Sequence, residues 1–396
     1  MSNALPGDLL SHEEIPTSIS GAVAVRVRYA SVDLHGVPTE STGLVVAPDT
    51  AGSDRPVMTW LHGTTGLGDA ACPSAQPDPA RELITYFDPG ATREIDYGVP
   101  HLQSFIDDGW VVCATDYQGL GTPGVHQYTV NRTNGLDGLH IVHAAGGLPL
   151  GTGAAVAGAG WSQGGGAVAA LAELGAEDYC DLELFAVVAF SPGVAGAAVA
   201  AGSAMAAADP HAPPDAHPFM LIEGLAAAFP DTLDLADLLT PLGVEIAHTT
   251  RDTLPVHHLD AVLARAFHHH GALLRPDPQN LPAWRDAVMA SSAGRRMPVC
   301  PVLICQDLGN PEGQFPCPLA WQDGYAAAIT ALGADVTVRK YPDDDHFSLC
   351  ATAMPAAKQW LESLRPGTPS YADGAQPTLV TGGGVHVPAS ASCRGS

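Results

Sequence analysis

The sequence predicts an α/β fold: a mostly parallel β-sheet flanked by helices, with a helical insertion late in the chain. Three observations support this prediction. Short β-rich segments alternate with helix-compatible segments, one hairpin precedes them, and one gap between strands is too long for a single crossover. Alternating strands and helices are typical of βαβ units, whose strands run parallel.

An antiparallel part is expected near the N-terminus. The segment VRVRYASVDLHGVPTESTGLVV alternates apolar and polar residues on both sides of a turn at residues 33–36. Period-two alternation around a turn that contains glycine predicts a β-hairpin.

Six further β-rich segments follow the hairpin and predict the rest of the sheet. They are PVMTWLHG, WVVCATDYQG, AAVAGAGWS, LFAVVAFSPG, PVCPVLICQ and ADVTVRKYP. The segments HLQSFIDDG and GGGAVAALAELGA, which lie between them, are compatible with helices. We therefore expect these strands and helices to form the core.

The gap between the strands near 185–190 and 302–306 exceeds 100 residues. A complete crossover unit needs only about 30 residues. Three segments in the gap have apolar residues at helical spacing, namely HPFMLIEGLAAAF, TLDLADLLTPL and LDAVLARAFHHHG, and Pro/Asp-rich connectors such as RPDPQNLPAW separate them. We expect a core of residues 1–193 and 297–365, a helical cap of residues 194–296, and an irregular Gly/Pro/Ser-rich tail of residues 366–396.

Composition excludes some partners. Among 396 residues, 42 are acidic and 17 are Lys or Arg, which gives a net charge of -25. This charge repels a phosphate backbone, so no nucleic-acid partner is expected. The apolar stretch 186–208 is interrupted by Ser191, Pro192 and glycines, so we predict no transmembrane segment.

The eight cysteines show no CxxC spacing, so we expect neither a zinc site nor another metal. The first ten residues, MSNALPGDLL, lack the basic start and apolar stretch of a signal peptide. No compartment is assigned on this basis: the chain as written would be cytoplasmic, and secretion is the alternative if its N-terminus has been trimmed. Composition does not specify an oligomeric state.

The pattern G-x-S-x-G occurs once, at residues 160–164, with Ser162 at its centre. A β-like segment precedes it and a helix-compatible segment follows. A sharp strand-to-helix turn raises the serine hydroxyl above the sheet edge, and the glycines let backbones pass closely. The helix N-terminus would face developing negative charge. We predict that Ser162 is a nucleophile; a glycine-rich turn with a surface serine is the alternative.

A tetrahedral oxyanion needs two backbone N–H donors. The segment WLHGTTG ends an early strand, and a His-Gly sequence at such a place often opens the loop that supplies one donor. We predict that Thr64 is this donor and that Gln163, which follows the serine, is the second. His62 is interpreted as a packing residue that fixes the loop.

A general base is expected on the loop after the last strand. His346 lies there, in YPDDDHFSL. The histidines at 257, 258 and 268–270 belong to the insertion and are expected on a solvated helix or lid surface. The aspartates 343–345 are interpreted as a solvated turn.

The acid should follow the strand that ends near Gln306, because the chain order in this kind of site is Ser, acid, His. In QDLGNPEGQFP, Asp307, Asn310 and Glu312 compete for the role. A neutral amide such as Asn310 would stabilise an imidazolium poorly. Both carboxylates remain open on this reasoning.

Several motifs resemble the secretory lipase family of serine α/β-hydrolases, the lipase A-like enzymes. They are PGDLL, RVRYASVDLHGVPTESTGLVVAP, HGTTG with CPS, DYQGLGTPG, GWSQGG and HF, and the resemblance covers residues 6–364. It implies an α/β-hydrolase fold, a helical cap between the sixth and seventh core strands, and hydrolysis of acyl esters without metal or cofactor.

The resemblance also bears on the acid. The family pattern after the penultimate strand is close to Q-G-x-x-D-x-x-V-P. Treating Asp307 and Leu308 as two extra residues places Glu312 at the acid position, so the resemblance implies Glu312, with Asp307 as the alternative. A triad accepts Glu in place of Asp.

The predicted function is that of a serine carboxylesterase or lipase that acts on a small-molecule or lipid ester through an acyl-enzyme. An acyltransferase or amidase with the same triad is one alternative. A non-catalytic binding protein with this fold is another.

Overall fold

The computed structural model describes residues 4–85, 97–200, 210–309 and 317–367. Its strands are β1 (Leu9–Ile15), β2 (Ala22–Val32), β3 (Pro38–Pro48), β4 (Arg55–Leu61), β5 (Val111–Thr115), β6 (Thr152–Trp161), β7 (Glu183–Phe190), β8 (Val302–Asp307) and β9 (Val336–Tyr341). Its helices are α1 (Pro79–Thr85), α2 (Leu102–Asp107), α3 (Asn131–Ala145), α4 (Gln163–Leu171), α5 (Ala176–Tyr179), α6 (Ala195–Ala200), α7 (Ala216–Ala228), α8 (Pro241–Thr250), α9 (Val256–His270), α10 (Leu281–Ser291), α11 (Leu319–Ala331) and α12 (Leu349–Leu364).

One nine-stranded sheet forms the centre, in the order β1-β2-β3-β5-β4-β6-β7-β8-β9. The pairs β1–β2, β2–β3 and β3–β5 are antiparallel, and the strands from β5 across to β9 are parallel to one another. The hairpin prediction is confirmed: Val32 pairs with Pro38, and the Asp33 amide donates to the Val37 carbonyl (3.0 Å). All six predicted β-rich segments contain strands of this sheet.

The parallel strands are covered on both faces, as is usual for parallel sheets. Successive side chains of β4 illustrate this: Val57 belongs to the apolar cluster beside α3 and α4, whereas Met58 belongs to the opposite cluster beside α2 and α12. Because both faces are covered, the carboxyl ends of the strands are the places where loops can form a site.

Helix α3 was not predicted from the sequence. Nearly all of its residues are buried, and they include Asn131, Asn134, Asp137 and His140. A helix that buries polar residues around its circumference lacks the apolar stripe on which sequence prediction depends.

Helices α6 to α10 lie between β7 and β8. Two of the three helical segments predicted there are confirmed, as α7 and α9. The prediction for TLDLADLLTPL is wrong, because it forms only a 3-10 turn before α8 begins at Pro241. The Thr240 hydroxyl accepts from the Gly243 amide (3.2 Å), which caps α8 and starts a new helix. The supposed connector RPDPQNLPAW overlaps the start of α10.

Two predictions fall on parts of the chain that the structure does not describe. Glu312 lies outside the described residues, and so do residues 368–396 of the predicted tail. Within the described ranges, no helix combines the length and the apolar character needed to cross a bilayer. The same ranges contain no group of three or more metal-ligating side chains.

Candidate active site

Ser162 occupies the turn between β6 and α4. Its φ and ψ are 59° and −116°, a conformation that residues with a Cβ seldom adopt. The Ser162 amide donates to the Phe190 carbonyl (3.0 Å), and the Ser162 carbonyl accepts from the amides of Gly166 (3.1 Å) and Gly193 (2.8 Å). These bonds fix the turn at the carboxyl edge of the sheet.

The small residues around Ser162 are required by close backbone contacts. A Cβ on Gly160 would lie 2.1 Å from the Gly164 carbonyl oxygen, and a Cβ on Gly164 would lie 1.9 Å from the Leu61 carbonyl oxygen. A Cβ on Gly166 would lie 2.2 Å from the Gly193 carbonyl oxygen. The contact with Leu61 also places the end of β4 against the serine turn, so the loop after β4 begins beside Ser162.

A buried thiol lies next to the serine. Cys317 Sγ is 3.9 Å from Ser162 Oγ, a contact that the sequence did not reveal. Burial raises the pKa of Cys317 to about 12, so the thiol stays protonated near neutral pH. A protonated thiol is a poor nucleophile, so Cys317 is not expected to compete with the predicted nucleophile Ser162.

His346 follows β9 and lies against the serine turn. Trp161 Nε1 donates to the His346 carbonyl (2.9 Å), and the Trp161 and His346 rings are 5.3 Å apart. The Asp345 carboxylate accepts from the amides of Phe347 (3.0 Å) and Ser348 (2.8 Å), just before α12. The residue before the predicted nucleophile therefore contacts the predicted base directly.

The expectation of a solvated turn at residues 343–345 is wrong for Asp344. Its side chain is buried and accepts from Thr352 Oγ1 (2.8 Å). Its carbonyl accepts from the Gly309 amide (2.8 Å), and the Leu308 amide donates to the Tyr341 carbonyl (3.0 Å). The loop after β8 is thereby held against the loop that carries His346.

Asp307 ends β8 and is buried. Its carboxylate accepts a short hydrogen bond from Ser191 Oγ and a second bond from Gln322 Nε2 (3.2 Å). Ser191 directly follows β7, so Asp307 lies at the same sheet edge as Ser162. Of the two candidate acids, Asp307 is the one that the structure describes.

Thr64 and His62 lie on the buried loop after β4. Thr64 Oγ1 is 2.8 Å from Tyr128 Oη. The His62 ring nitrogens lie 2.6 Å from the Gly63 carbonyl oxygen and 3.3 Å from that of Asp116. These contacts favour the interpretation of His62 as a residue that fixes the loop.

The segment DYQGLGTPG supports the other end of the same loop. The Asp116 carboxylate accepts from the Ser74 amide (2.9 Å), Thr42 Oγ1 (2.7 Å) and Cys72 Sγ (3.4 Å). Burial raises the pKa of Asp116, and the hydrogen bonds from Ser74 and Thr42 oppose that rise. Tyr117 Oη donates to the His62 carbonyl (3.0 Å). Asp116 and Tyr117 therefore fix both ends of the loop that carries Thr64.

The insertion contacts this loop as well. The Val256 amide donates to the Thr65 carbonyl (2.9 Å), and the Ala70 amide donates to the Asp252 carbonyl (3.4 Å). Leu67 packs in the same apolar cluster as Phe219 of α7. The helices between β7 and β8 thus lie against the loop that carries the proposed oxyanion donor.

A mostly parallel sheet with a serine at a strand–helix turn defines the α/β-hydrolase fold, and known structures bear this out. The chain is similar to the rice cell wall degrading esterase LipA from Xanthomonas oryzae, with a TM-score of 0.67, 17% identity, and coverage of 90% of this chain and 96% of that one. It is similar also to Candida antarctica lipase A, with a TM-score of 0.69, 15% identity, and coverage of 92% and 84%.

No protein-family model and no curated protein sequence matches the chain. At identities of 15–17% the structural likeness shows the fold, and the predicted fold class is confirmed. The residues of the site and their roles depend on the geometry described above.

Proposed function

We propose that the protein is a serine carboxylesterase or lipase, similar to the lipase A-like enzymes, that hydrolyses acyl esters through an acyl-enzyme. The observation that carries the proposal is the strained serine turn, whose Trp161 packs on His346 and donates to its carbonyl. The similar solved structures are an esterase and a lipase by name, which supports the same class of reaction.

In the proposed mechanism, Ser162 Oγ attacks the ester carbonyl while His346 accepts the hydroxyl proton. The backbone N–H groups of Thr64 and Gln163 stabilise the oxyanion. His346 then gives its proton to the departing alcohol. Water, deprotonated by His346, attacks the acyl-enzyme, and the acid leaves as Ser162 regains its proton.

The acid of the triad orients the His346 ring and stabilises the imidazolium. We assign this role to Glu312, as the family pattern implies, with Asp307 as the alternative. The two hydrogen bonds that Asp307 accepts, from Ser191 and Gln322, support a structural role for this residue.

Residues 194–296 are proposed to act as a cap. Their apolar side chains cluster with Leu67 and Tyr128, which border the loop of Thr64. Such an apolar surface would contact an acyl chain and exclude water from the ester.

A short-chain p-nitrophenyl ester tests the proposal. Replacing Ser162 by Ala should lower kcat by about 10⁴-fold or more, because the nucleophile is removed. The exposed Ser363 on α12 offers a matched control, and Ser363→Ala should turn over like the wild type. Equal turnover by Ser162→Ala and the wild type would exclude the mechanism.

A further inference from the structure

His126 lies between the two loops that would form the oxyanion hole, and it is fully buried. Its backbone amide donates to the Leu67 carbonyl (3.1 Å) on the loop of Thr64. Its ring Nε2 lies 2.6 Å from Nε2 of Gln163, the residue after the serine. The sequence did not single out His126, because its partners are distant along the chain.

The hydrogen bonds define the state of the His126 ring. Nδ1 lies 3.0 Å from the Gln118 carbonyl oxygen, which can only accept, so Nδ1 carries the proton. Nε2 is therefore an acceptor, and the Gln163 side-chain amide donates to it. The same amide lies 3.4 Å from Asn134 Oδ1, a second acceptor. Burial lowers the pKa of His126 to about 3, so the ring keeps this neutral form near neutral pH.

Tyr117 connects the His126 ring to the other loop. The two rings stack with centroids 5.4 Å apart and an interplanar angle of 13°. The Tyr117 ring also contacts the His62 ring, with centroids 4.5 Å apart. A Cβ on Gly119 would lie 2.4 Å from the His126 amide nitrogen, so the glycine of DYQG allows the close approach.

We propose that His126 is a positioning residue that aligns the two oxyanion donors, holding Gln163 by its ring and the Thr64 loop by its backbone and Tyr117. This inference rests on the proposed esterase function. Donors stabilise an oxyanion only when they lie about 2.7–3.1 Å from its position in the transition state. A small displacement of either loop therefore lowers the rate, although His126 does not touch the reacting atoms.

Two substitutions separate the roles of the ring nitrogens. In His126→Gln the amide oxygen reaches the position of Nε2 and can still accept from Gln163. In His126→Asn the amide nitrogen can donate to the Gln118 carbonyl, but the acceptor for Gln163 is lost. We expect His126→Asn to lower kcat about 10-fold or more with KM within about twofold, and His126→Gln to recover most of that loss.

His140 provides the matched control. It is also a buried histidine, on α3, and its Nδ1 lies 2.9 Å from Ser31 Oγ. We expect His140→Asn to lower Tm but to leave kcat per folded enzyme unchanged. A second variant, Gln163→Met, removes the side-chain donor but keeps the backbone N–H. It should lose activity like His126→Asn, and the two losses should not add.

An alkyl boronic acid, which forms a tetrahedral adduct with a nucleophilic serine, gives an independent measure of the oxyanion hole. Its inhibition constant should rise in His126→Asn by the same factor as kcat/KM falls. An unchanged kcat in folded His126→Asn, equal losses in the Asn and Gln variants, or an effect on KM alone would overturn the inference. If Ser162→Ala retains wild-type turnover, the proposed function fails instead.

Discussion

Ser162 and Tyr117 both have positive φ angles, 59° and 70°, although neither is a glycine. Such conformations cost about 1–3 kcal/mol each and persist only where the surroundings impose them. The amides of Gly166 and Gly193 hold the Ser162 carbonyl, and the Tyr117 hydroxyl is bound to the His62 carbonyl. The strain therefore occurs at two residues of the proposed site, where hydrogen bonds from neighbouring loops hold the residue in place.

Substitutions at the two candidate residues, Glu312 and Asp307, identify the acid of the proposed triad. We expect Glu312→Gln to lower kcat about 10³–10⁴-fold, because a neutral amide stabilises an imidazolium poorly. We expect Asp307→Asn to lower Tm, since it weakens the bond from Ser191, and to change kcat per folded enzyme much less. Ester hydrolysis and thermal melting of both variants measure these effects. A large loss of rate in Asp307→Asn alone would transfer the role to Asp307.

Helix α7 carries a buried carboxyl group at the contact between the insertion and the core. Among the described residues, neither oxygen of Glu223 has a hydrogen-bond partner, and the nearest cation is Arg251, whose Nε is 3.6 Å away. Burial raises the pKa of Glu223 to about 8. The next residue, Gly224, packs so closely that a Cβ would lie 2.5 Å from the Tyr128 amide nitrogen.

Because the pKa of Glu223 is raised in the folded state, this side chain is predicted to lower the stability of the fold by an amount that depends on pH. The folded state keeps a proton that the unfolded chain loses above its ordinary pKa of 4.5, so Glu223 lowers stability progressively as the pH rises toward 8. We expect Glu223→Gln to raise Tm relative to the wild type by about 5 °C more at pH 9 than at pH 5. Thermal melting across this pH range measures the difference.

Glu173 is the matched control for this prediction. It is also buried, but its carboxylate accepts from the amides of Gly294 (2.7 Å), Arg295 (3.1 Å) and Arg296 (3.1 Å). Replacing Glu173 by Gln points an NH₂ group at one of these donors, so this variant should be less stable than the wild type near neutral pH. A Tm difference between Glu223→Gln and the wild type that shrinks or stays constant from pH 5 to pH 9 would contradict the account of Glu223.

The charge of the whole molecule opposes its compact state. At a net charge of -25, the excess acidic groups repel one another and destabilise the folded state. Exposed ion pairs such as Arg26–Glu13 contribute only about 0–1 kcal/mol each to stability. Salt screens both, and because the repulsion is the larger effect we expect Tm at pH 8 to rise by a few degrees between 0.02 and 0.5 M NaCl. The rise should largely disappear near pH 4.8, the pI of the sequence. A Tm that falls with added salt at pH 8 would contradict this prediction.

Local patterns by themselves determined much of this protein. The hairpin at Asp33, the six parallel strands and the strand–turn–helix around Ser162 follow from period-two alternation, turn residues and glycine spacing within short segments. The long gap before β8 predicted the insertion, because a crossover needs few residues. Ser162 and His346 could also be proposed from short segments, because Ser162 lies in the pattern G-x-S-x-G and His346 lies in the loop after the last predicted strand.

Tertiary structure alone decided which residues come together. Trp161 contacts His346 across 185 positions of the chain, and His126 contacts Gln163 across 37. Cys317 lies beside Ser162 although no sequence pattern connects them. A local pattern records the period of one element, whereas a site forms where the ends of several strands meet, and that meeting depends on the packing of the whole sheet.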